Sequence, residues 1–256
     1  MSPPAGVRIA VTRPGDSPGR LGELLRARGA TVVHWPCIRF DPPSDPAPLA
    51  GAVERASEYD WLVCTSPRAA RRWLEAWARR TGSAAVPIPA AVAGPGTAAV
   101  LRKAGWSVER IAVQYSARGL VESFEIAGDA VGARCVFPCS DLADDELPEG
   151  LRRLGAVVER VEAYRTVPTP PDPAEVREAA ESGSVRVVTF TSPSTVGGFL
   201  AGADEAHADL VRRKLSAVAI GDTTAAALAA AGWPAAIAEQ ATLEALAAAA
   251  VRATDI

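Results

Sequence analysis

The sequence predicts two α/β domains of like architecture, each built on an open, mostly parallel sheet. Two observations predict it. The first is an internal duplication: Gly6 and Arg8 return as Gly132 and Arg134, and Leu25, Arg26, Gly29, Ala30 and Val32 return as Leu151, Arg152, Gly155, Ala156 and Val158. Thr65-Ser66-Pro67 returns as Thr191-Ser192-Pro193, and Gly94, Thr97, Leu101, Gly105 and Trp106 return as Gly221, Thr224, Leu228, Gly232 and Trp233. A spacing this long is that of a duplicated domain, not a solenoid. The second observation is that short apolar runs alternate with amphipathic stretches in both copies, as in βα units. The two copies are expected to face a shared cleft.

Val7 to Thr12 reads as a buried strand, closed by Arg13-Pro14-Gly15-Asp16 before an amphipathic helix carrying Leu21, Leu24 and Leu25. Gly29-Ala30 ends that helix and Thr31 to Ile38 extends. The proline-rich run from Asp41 to Pro48 reads as a linker or loop. A helix to Ser57, a strand Trp61 to Thr65, a helix from Pro67 through Trp77, a strand Ala90 to Ala93 and a helix Gly96 to Ala104 follow. The second copy repeats the order. It has a strand Arg134 to Pro138, a helix to Leu154, a strand Val157 to Val167 and a proline-rich connection from Pro168 to Pro173. A strand Val187 to Thr191, a helix from Pro193, a strand Ala217 to Ile220 and a helix Asp222 to Ala231 complete it.

Composition narrows the function. With 256 residues the chain suits two domains of roughly 100 to 200 residues each. A net charge of −3 gives no general pull on nucleic acid. The uncharged stretch 223–238 is broken by Gly232 and Pro234, which suits a helix end and not a bilayer span. The opening Met-Ser-Pro-Pro-Ala-Gly-Val-Arg lacks the basic-then-apolar pattern of a secretory signal, and a cytoplasmic protein is expected. Cys37, Cys64, Cys135 and Cys139 fit that compartment as reduced, buried thiols. Cys135 and Cys139, on a strand and its exit loop, do not space as a metal site, and the two histidines, His34 and His207, lie far away. They also fall outside the strand-end loops, so no Ser-His-Asp or Cys-His arrangement forms.

In open α/β sheets, ligands bind beyond the carboxyl ends of the strands, where helix N-termini present free N–H groups. Thr65-Ser66-Pro67-Arg68, Thr191-Ser192-Pro193-Ser194, Gly94-Pro95-Gly96-Thr97 and Gly221-Asp222-Thr223-Thr224 all stand there. Each Ser or Thr taken singly reads as a helix cap; their recurrence in both copies points to a cleft lined by amides and hydroxyls. Gly94 to Ala99 formally matches a dinucleotide-binding pattern. However, no acidic residue ends a following strand, and Thr223 stands where the second copy needs glycine. Asp141, Asp144, Asp145 and Glu146 fit either a cation site or the acidic start of a helix. Trp73 and Trp77 read as packing residues. Tyr164 fits two roles, a buried structural residue or a phenol donor facing the cleft.

Taken in order, Arg13-Pro14, Thr65 to Arg68, Gly94 to Ala98, Leu151 to Thr166, Thr191 to Ser194 and Ile220 to Ala225 resemble the uroporphyrinogen-III synthase family. Ser140 to Ala143 looks like a variant segment of that family. The resemblance implies a cofactor-free, metal-free enzyme of tetrapyrrole synthesis that closes hydroxymethylbilane to uroporphyrinogen III with inversion of ring D. It implies two flavodoxin-like domains joined by a two-stranded connector, the first strand-helix unit joining the C-terminal part. Residues 1–37 and 167–256 would form one domain and 41–163 the other, with connectors near 31–40 and 158–167. Tyr164 would assist hydroxyl departure. Arg13, Ser66, Arg68, Gly96, Thr97, Ser192, Ser194, Gly221, Thr223 and Thr224 would bind substrate, with the N–H groups of Ser66, Gly96, Thr97, Ser192, Thr223 and Thr224 on its carboxylates. The enzyme is expected to act as a monomer on this small molecule, without nucleic acid or membrane. A lysine found in some members is replaced here by Ser216. Two rival readings remain, an anion-binding module without turnover and a nucleotide-dependent enzyme resting on Gly94 to Ala99.

Overall fold

A computed structural model of the chain describes residues 8–82 and 88–255. Gly6, Val7 and the opening segment lie outside the described residues. In chain order the first elements are β1 (Arg8–Val11), α1 (Gly19–Arg26), β2 (Thr31–His34), β3 (Ile38–Asp41), α2 (Ala47–Glu54), β4 (Trp61–Cys64) and α3 (Pro67–Thr81). Then come β5 (Ala90–Val92), α4 (Pro95–Lys103), β6 (Val108–Ile111), α5 (Ala117–Ala127), β7 (Arg134–Ser140), α6 (Glu146–Arg153) and β8 (Val157–Pro168). The last are α7 (Pro173–Glu181), β9 (Val185–Phe190), α8 (Pro193–Leu200), α9 (Glu205–Lys214), β10 (Ser216–Ala219), α10 (Asp222–Ala230), β11 (Ala235–Ile237) and α11 (Leu243–Arg252).

Contacts divide the chain into two compact units, Met1–Phe40 with Thr166–Ile256, and Asp41–Arg165. The chain passes from one to the other within β3 and within β8. In the first unit the sheet runs β11-β10-β9-β1-β2, every neighbour parallel. The second sheet runs β3-β8-β7-β4-β5-β6, parallel from β8 to β6. Taking β1 and β7 as first strands, both follow the flavodoxin-like order 2-1-3-4-5. The copies are crossed: Arg8 of β1 is the counterpart of Arg134 of β7, yet β1 lies beside β9 and β7 beside β4. Each sheet therefore takes its first two strands of that order from one copy and the next three from the other.

Strands covered on both faces must be apolar along their length, which is why they read as runs. Ile9 and Val11 face α1 and α11 with Leu21, Leu25 and Leu246, while Ala10, Val188 and Phe190 face the opposite layer with Phe199, Val211 and Trp233. In the second unit Val63, Cys135, Phe137 and Val158 pack under Leu120, Phe124, Leu147 and Leu151 of α5 and α6. The duplication survives at single bonds: Trp106 Nε1 donates to Ile88 O and Trp233 Nε1 to Leu215 O, both at 3.0 Å.

Besides helix ends that move by a few residues, as at Glu54 and Thr81, three expectations change. The extension from Thr31 breaks at Trp35-Pro36-Cys37, sending β2 to the first sheet and β3 to the second. Pro36 has no N–H to continue a ladder, and the flanking N–H groups of Trp35 and Cys37 bond back to Val11 and Thr12. The run to Pro48 is not wholly a loop, because Pro46 precedes α2 and Pro48 sits in its first turn, where a missing N–H is harmless. Cys139 lies within β7 and not on an exit loop. Pro138 is tolerated inside β7 because pairing with β4 ends at Val136, leaving β8 alone beside it.

Six elements had no counterpart in the sequence reading. β6 carries Glu109 and Arg110 on an edge, β11 is three residues long and the middle of α11 is an uninterrupted alanine run. α7 begins at Pro173, which reads as the end of a loop, and the sequence reading places no helix at α5 or α9.

Candidate active site

Strand order reverses between β1 and β9 in the first unit and between β7 and β4 in the second, the switch points at whose carboxyl edge open α/β sheets bind ligands. In the first unit that edge is clamped by two buried threonines. Thr12 Oγ1 donates to Thr189 O at 2.8 Å and Thr189 Oγ1 donates to Ala10 O at 2.9 Å. Arg13 follows directly, half-buried, and burial lowers the pKa of its guanidinium without discharging it near neutrality. Its carbonyl accepts from His34 Nε2 at 2.9 Å, which fixes the proton on that nitrogen.

Across the same edge, Ser192 caps α8. Its Oγ accepts from Thr195 N at 3.3 Å while Thr195 Oγ1 accepts from Ser192 N, a reciprocal capping box. Ser194 Oγ lies 2.9 Å from Ser192 Oγ, so the two hydroxyls form one short relay. Beside it, α10 opens at Gly221, whose carbonyl accepts from Thr224 N and Ala225 N. Thr223 is exposed and Thr224 is 3 % exposed. Asp222 places a carboxylate in the first turn of α10, whereas the first turns of α3, α4 and α8 carry none.

In the second unit Ser66 Oγ caps α3 by accepting from Ala69 N at 3.1 Å. Gly94 opens α4 as Gly221 opens α10, its carbonyl accepting from Thr97 N and Ala98 N. Gly96 is exposed, Thr97 is 3 % exposed, and a Cβ on Gly96 would lie 3.7 Å from Pro67 Cγ, so the starts of α3 and α4 are neighbours. Tyr164 sits in β8 opposite Ser140, 8 % exposed, and its carbonyl accepts from Asp141 N at 3.1 Å. The Arg68 guanidinium lies 6.0 Å from the Tyr164 ring centroid, the outer limit of cation–π attraction. Burial lowers the Arg68 pKa, and the neighbouring Tyr164 partly opposes this.

Ser66, Arg68, Gly96, Thr97 and Tyr164 thus stand on one edge of the second unit, and Arg13, Ser192, Ser194, Gly221, Thr223 and Thr224 on the corresponding edge of the first. One expectation needs correction: not all six expected N–H groups are open. Those of Thr97 and Thr224 turn back to the glycine carbonyls, and that of Ser192 closes the capping box. The Ser140-Asp141 turn, with Ser140 Oγ donating to Asp141 Oδ1 at 2.8 Å, joins the edge without having been singled out as a site. Its signal was weak because the acidic residues after it read as a helix start. That start is what they form: Asp144 Oδ1 accepts from Glu146 N, and Asp145 pairs with Arg160. Among the described residues no group of three metal-ligating side chains forms, and no helix is long and apolar enough to cross a membrane. All four cysteines are free and buried, and burial raises their thiol pKa values, so none is a thiolate nucleophile at neutral pH.

Fold and edge define a class: a duplicated, crossed α/β protein with paired helix-start turns at the switch point of each sheet. The model of the family described as uroporphyrinogen-III synthase HemD matches residues 19–248. The chain is 30% identical over 199 residues to the uroporphyrinogen-III synthase of Synechococcus elongatus, covering 77% of this chain and 75% of that protein. It is 31% identical over 225 residues to the porphyrin biosynthesis protein HemD of Ruminiclostridium josui, 87% of this chain but 44% of that longer protein. A crystal structure of a mutant uroporphyrinogen III synthase from the extremely thermophilic bacterium Thermus thermophilus shares the fold, with a TM-score of 0.66 and 20% identity over 97% of this chain and 99% of that one. The chain belongs to the uroporphyrinogen-III synthase family, cyclising lyases of porphyrin biosynthesis.

Proposed function

We propose that this chain closes the linear tetrapyrrole hydroxymethylbilane to uroporphyrinogen III. The observation that carries this reading is the recurrence, in both units, of paired helix-start turns at the switch point, the second with a tyrosine and an arginine beside them. The terminal hydroxyl leaves with a proton as water, pushed out by the lone pair of the adjacent pyrrole nitrogen. The substituted carbon of ring D then attacks the electron-poor carbon and forms a spiro intermediate. Its older bond to ring D breaks and re-forms at the ring's other position, and loss of a proton restores aromaticity. The electrons come from the substrate, so one weak acid near the departing oxygen suffices, and no cofactor or metal is called for.

Tyr164 is that acid in this reading. Because the free substrate also closes unaided to the type I isomer, the larger task is positioning. Carboxylates on the rim would be held by the exposed first-turn amides of Gly96 and Thr223 and by the hydroxyls of Ser66, Ser192 and Ser194. Arg13 and Arg68 would add charge, while Gly221, Thr97 and Thr224 would shape the turns behind. Helix-start amides bind anions without a basic surface, which accords with the net charge of −3. The two contact units would serve as the enzyme's two domains. One chain carries both sets of turns, so a monomer would suffice, and free buried cysteines accord with the cytoplasm.

Purified protein supplied with hydroxymethylbilane and no additive is expected to divert product from the type I to the type III isomer. Tyr164→Phe is expected to lower kcat roughly tenfold, less than the ~10²–10⁴ of a full general acid because the pyrrole nitrogen drives most of the departure, with the melting temperature kept. Type I product alone, separated by chromatography, would defeat the reading; an unchanged kcat would remove Tyr164 from the chemistry.

A further inference from the structure

The loops that follow β6 and β11 are duplicates of each other. Ser116 caps α5 by accepting from Gly119 N at 3.0 Å, and Thr242 caps α11 by accepting from Ala245 N at 3.2 Å. Just before each cap, Ser116 N donates to Gln114 O and Thr242 N to Gln240 O, both at 2.7 Å. The residue inside each turn lies over the glycine that opens the neighbouring helix. A Cβ on Gly94 would lie 3.5 Å from Tyr115 Cβ, and one on Gly221 would lie 3.8 Å from Ala241 Cβ. The turns therefore correspond residue by residue, with tyrosine in the second unit where the first has alanine.

Ala241 shows that this turn forms with a methyl side chain, so the fold does not require the phenol of Tyr115. Yet Tyr115 is 71 % exposed, a large aromatic surface left in solvent at the carboxyl edge of the sheet, leaning on the turn that carries Gly96. We propose that Tyr115 is a positioning residue for substrate: its ring packs against a pyrrole face while the Gly96 N–H holds a carboxylate of the same ring. The inference rests on the synthase reading and adds to it an asymmetry, since the matching place in the first unit offers only Ala241. An aromatic platform beside one turn and not its duplicate lets a chain of similar pyrroles be held in one register. The interaction needs the ring and not the hydroxyl, because offset or edge-on aromatic pairing is carried by the π system.

The test is steady-state kinetics and isomer analysis of wild type, Tyr115→Ala and Tyr115→Phe with hydroxymethylbilane. Tyr115→Ala, which copies the duplicate turn, is expected to raise KM roughly three- to tenfold with kcat within about twofold and the melting temperature unchanged. Tyr115→Phe is expected to restore the wild-type KM. Wild type that makes the type III isomer, together with a Tyr115→Ala KM within about twofold of it, would overturn this proposal and leave the synthase reading intact. A Tyr115→Phe enzyme as impaired as Tyr115→Ala would also overturn it, by making the hydroxyl the operative group. Wild type that gives only the type I isomer would overturn both.

Discussion

His207 sits in the first turn of α9, 5 % exposed, with its Nδ1 lacking a hydrogen-bond partner among the described residues. Burial lowers its pKa, the positive charge of Arg177 lowers it further, and Asp204 opposes both. With the folded value below the unfolded value of about 6.5, the unfolded chain takes up the proton first as pH falls. Stability from the neutral ring is thus full above about pH 6.5 and is lost as pH falls through the lowered folded value. Melting temperature measured from pH 7.5 down to 5 should drop, and His207→Gln should flatten part of that drop. A variant with the wild-type slope would assign the acid sensitivity elsewhere. Tyr164 makes a different point at this scale. Of its two readings from sequence, burial is what its 8 % exposure shows, and the kinetics of Tyr164→Phe decide the other.

At the scale of elements, what could be read beforehand followed contrast. The start of α3 was legible because Ser66 and Pro67 mark it, but its end was not: the helix runs past Trp77 to Thr81, where Gly82 closes it with a left-handed φ of 58°. The four helix-start turns were legible for the same reason, since Gly, Ser, Thr and Pro there have few alternative uses. α11 was not, because the run Ala247 to Ala250 carries no apolar–polar alternation and its charges, Glu244 and Arg252, stand only near its ends. Nor could sequence show that the Thr97 and Thr224 amides turn inward, a matter of first-turn geometry alone. α8 offers a test of packing at this scale. A Cβ on Gly198 would fall well inside the Cys37 carbonyl oxygen and 2.7 Å from Ile38 Cγ2, so the helix lies directly on the segment between β2 and β3. Gly198→Ala should cost about 1–3 kcal/mol through forced displacement, read as a melting temperature lower by several degrees. An unchanged melt would mean that the helix can slide without penalty.

At the scale of the molecule, the duplication was plain from sequence, but its partition was not. Gly6 to Trp106 and Gly132 to Trp233 mark two copies, yet neither copy is a sheet, because β1 and β2 join β9 to β11 while β7 and β8 join β4 to β6. Expressed alone, residues 41–165 hold the ordered run β8-β7-β4-β5-β6 and should fold cooperatively by circular dichroism and thermal melting. Residues 1–126, a whole copy of the repeat, lack both β7 beside β4 and β8 beyond it, and lack β9 beside β1, and should not. A sharp melt from the copy and none from 41–165 would mean that the strand pairing described here is not what stabilises the fold. The crossing also sets a timetable during synthesis. Thr12 bonds across 177 positions to Thr189, so although α1 and β2 follow it closely, β1 emerges from the ribosome with one edge unpaired and its Ala10 face bare until β9 is made. At roughly 5–20 residues per second that wait is on the order of ten seconds or more, during which a nascent apolar strand is open to chaperones and to mispairing with its own duplicate.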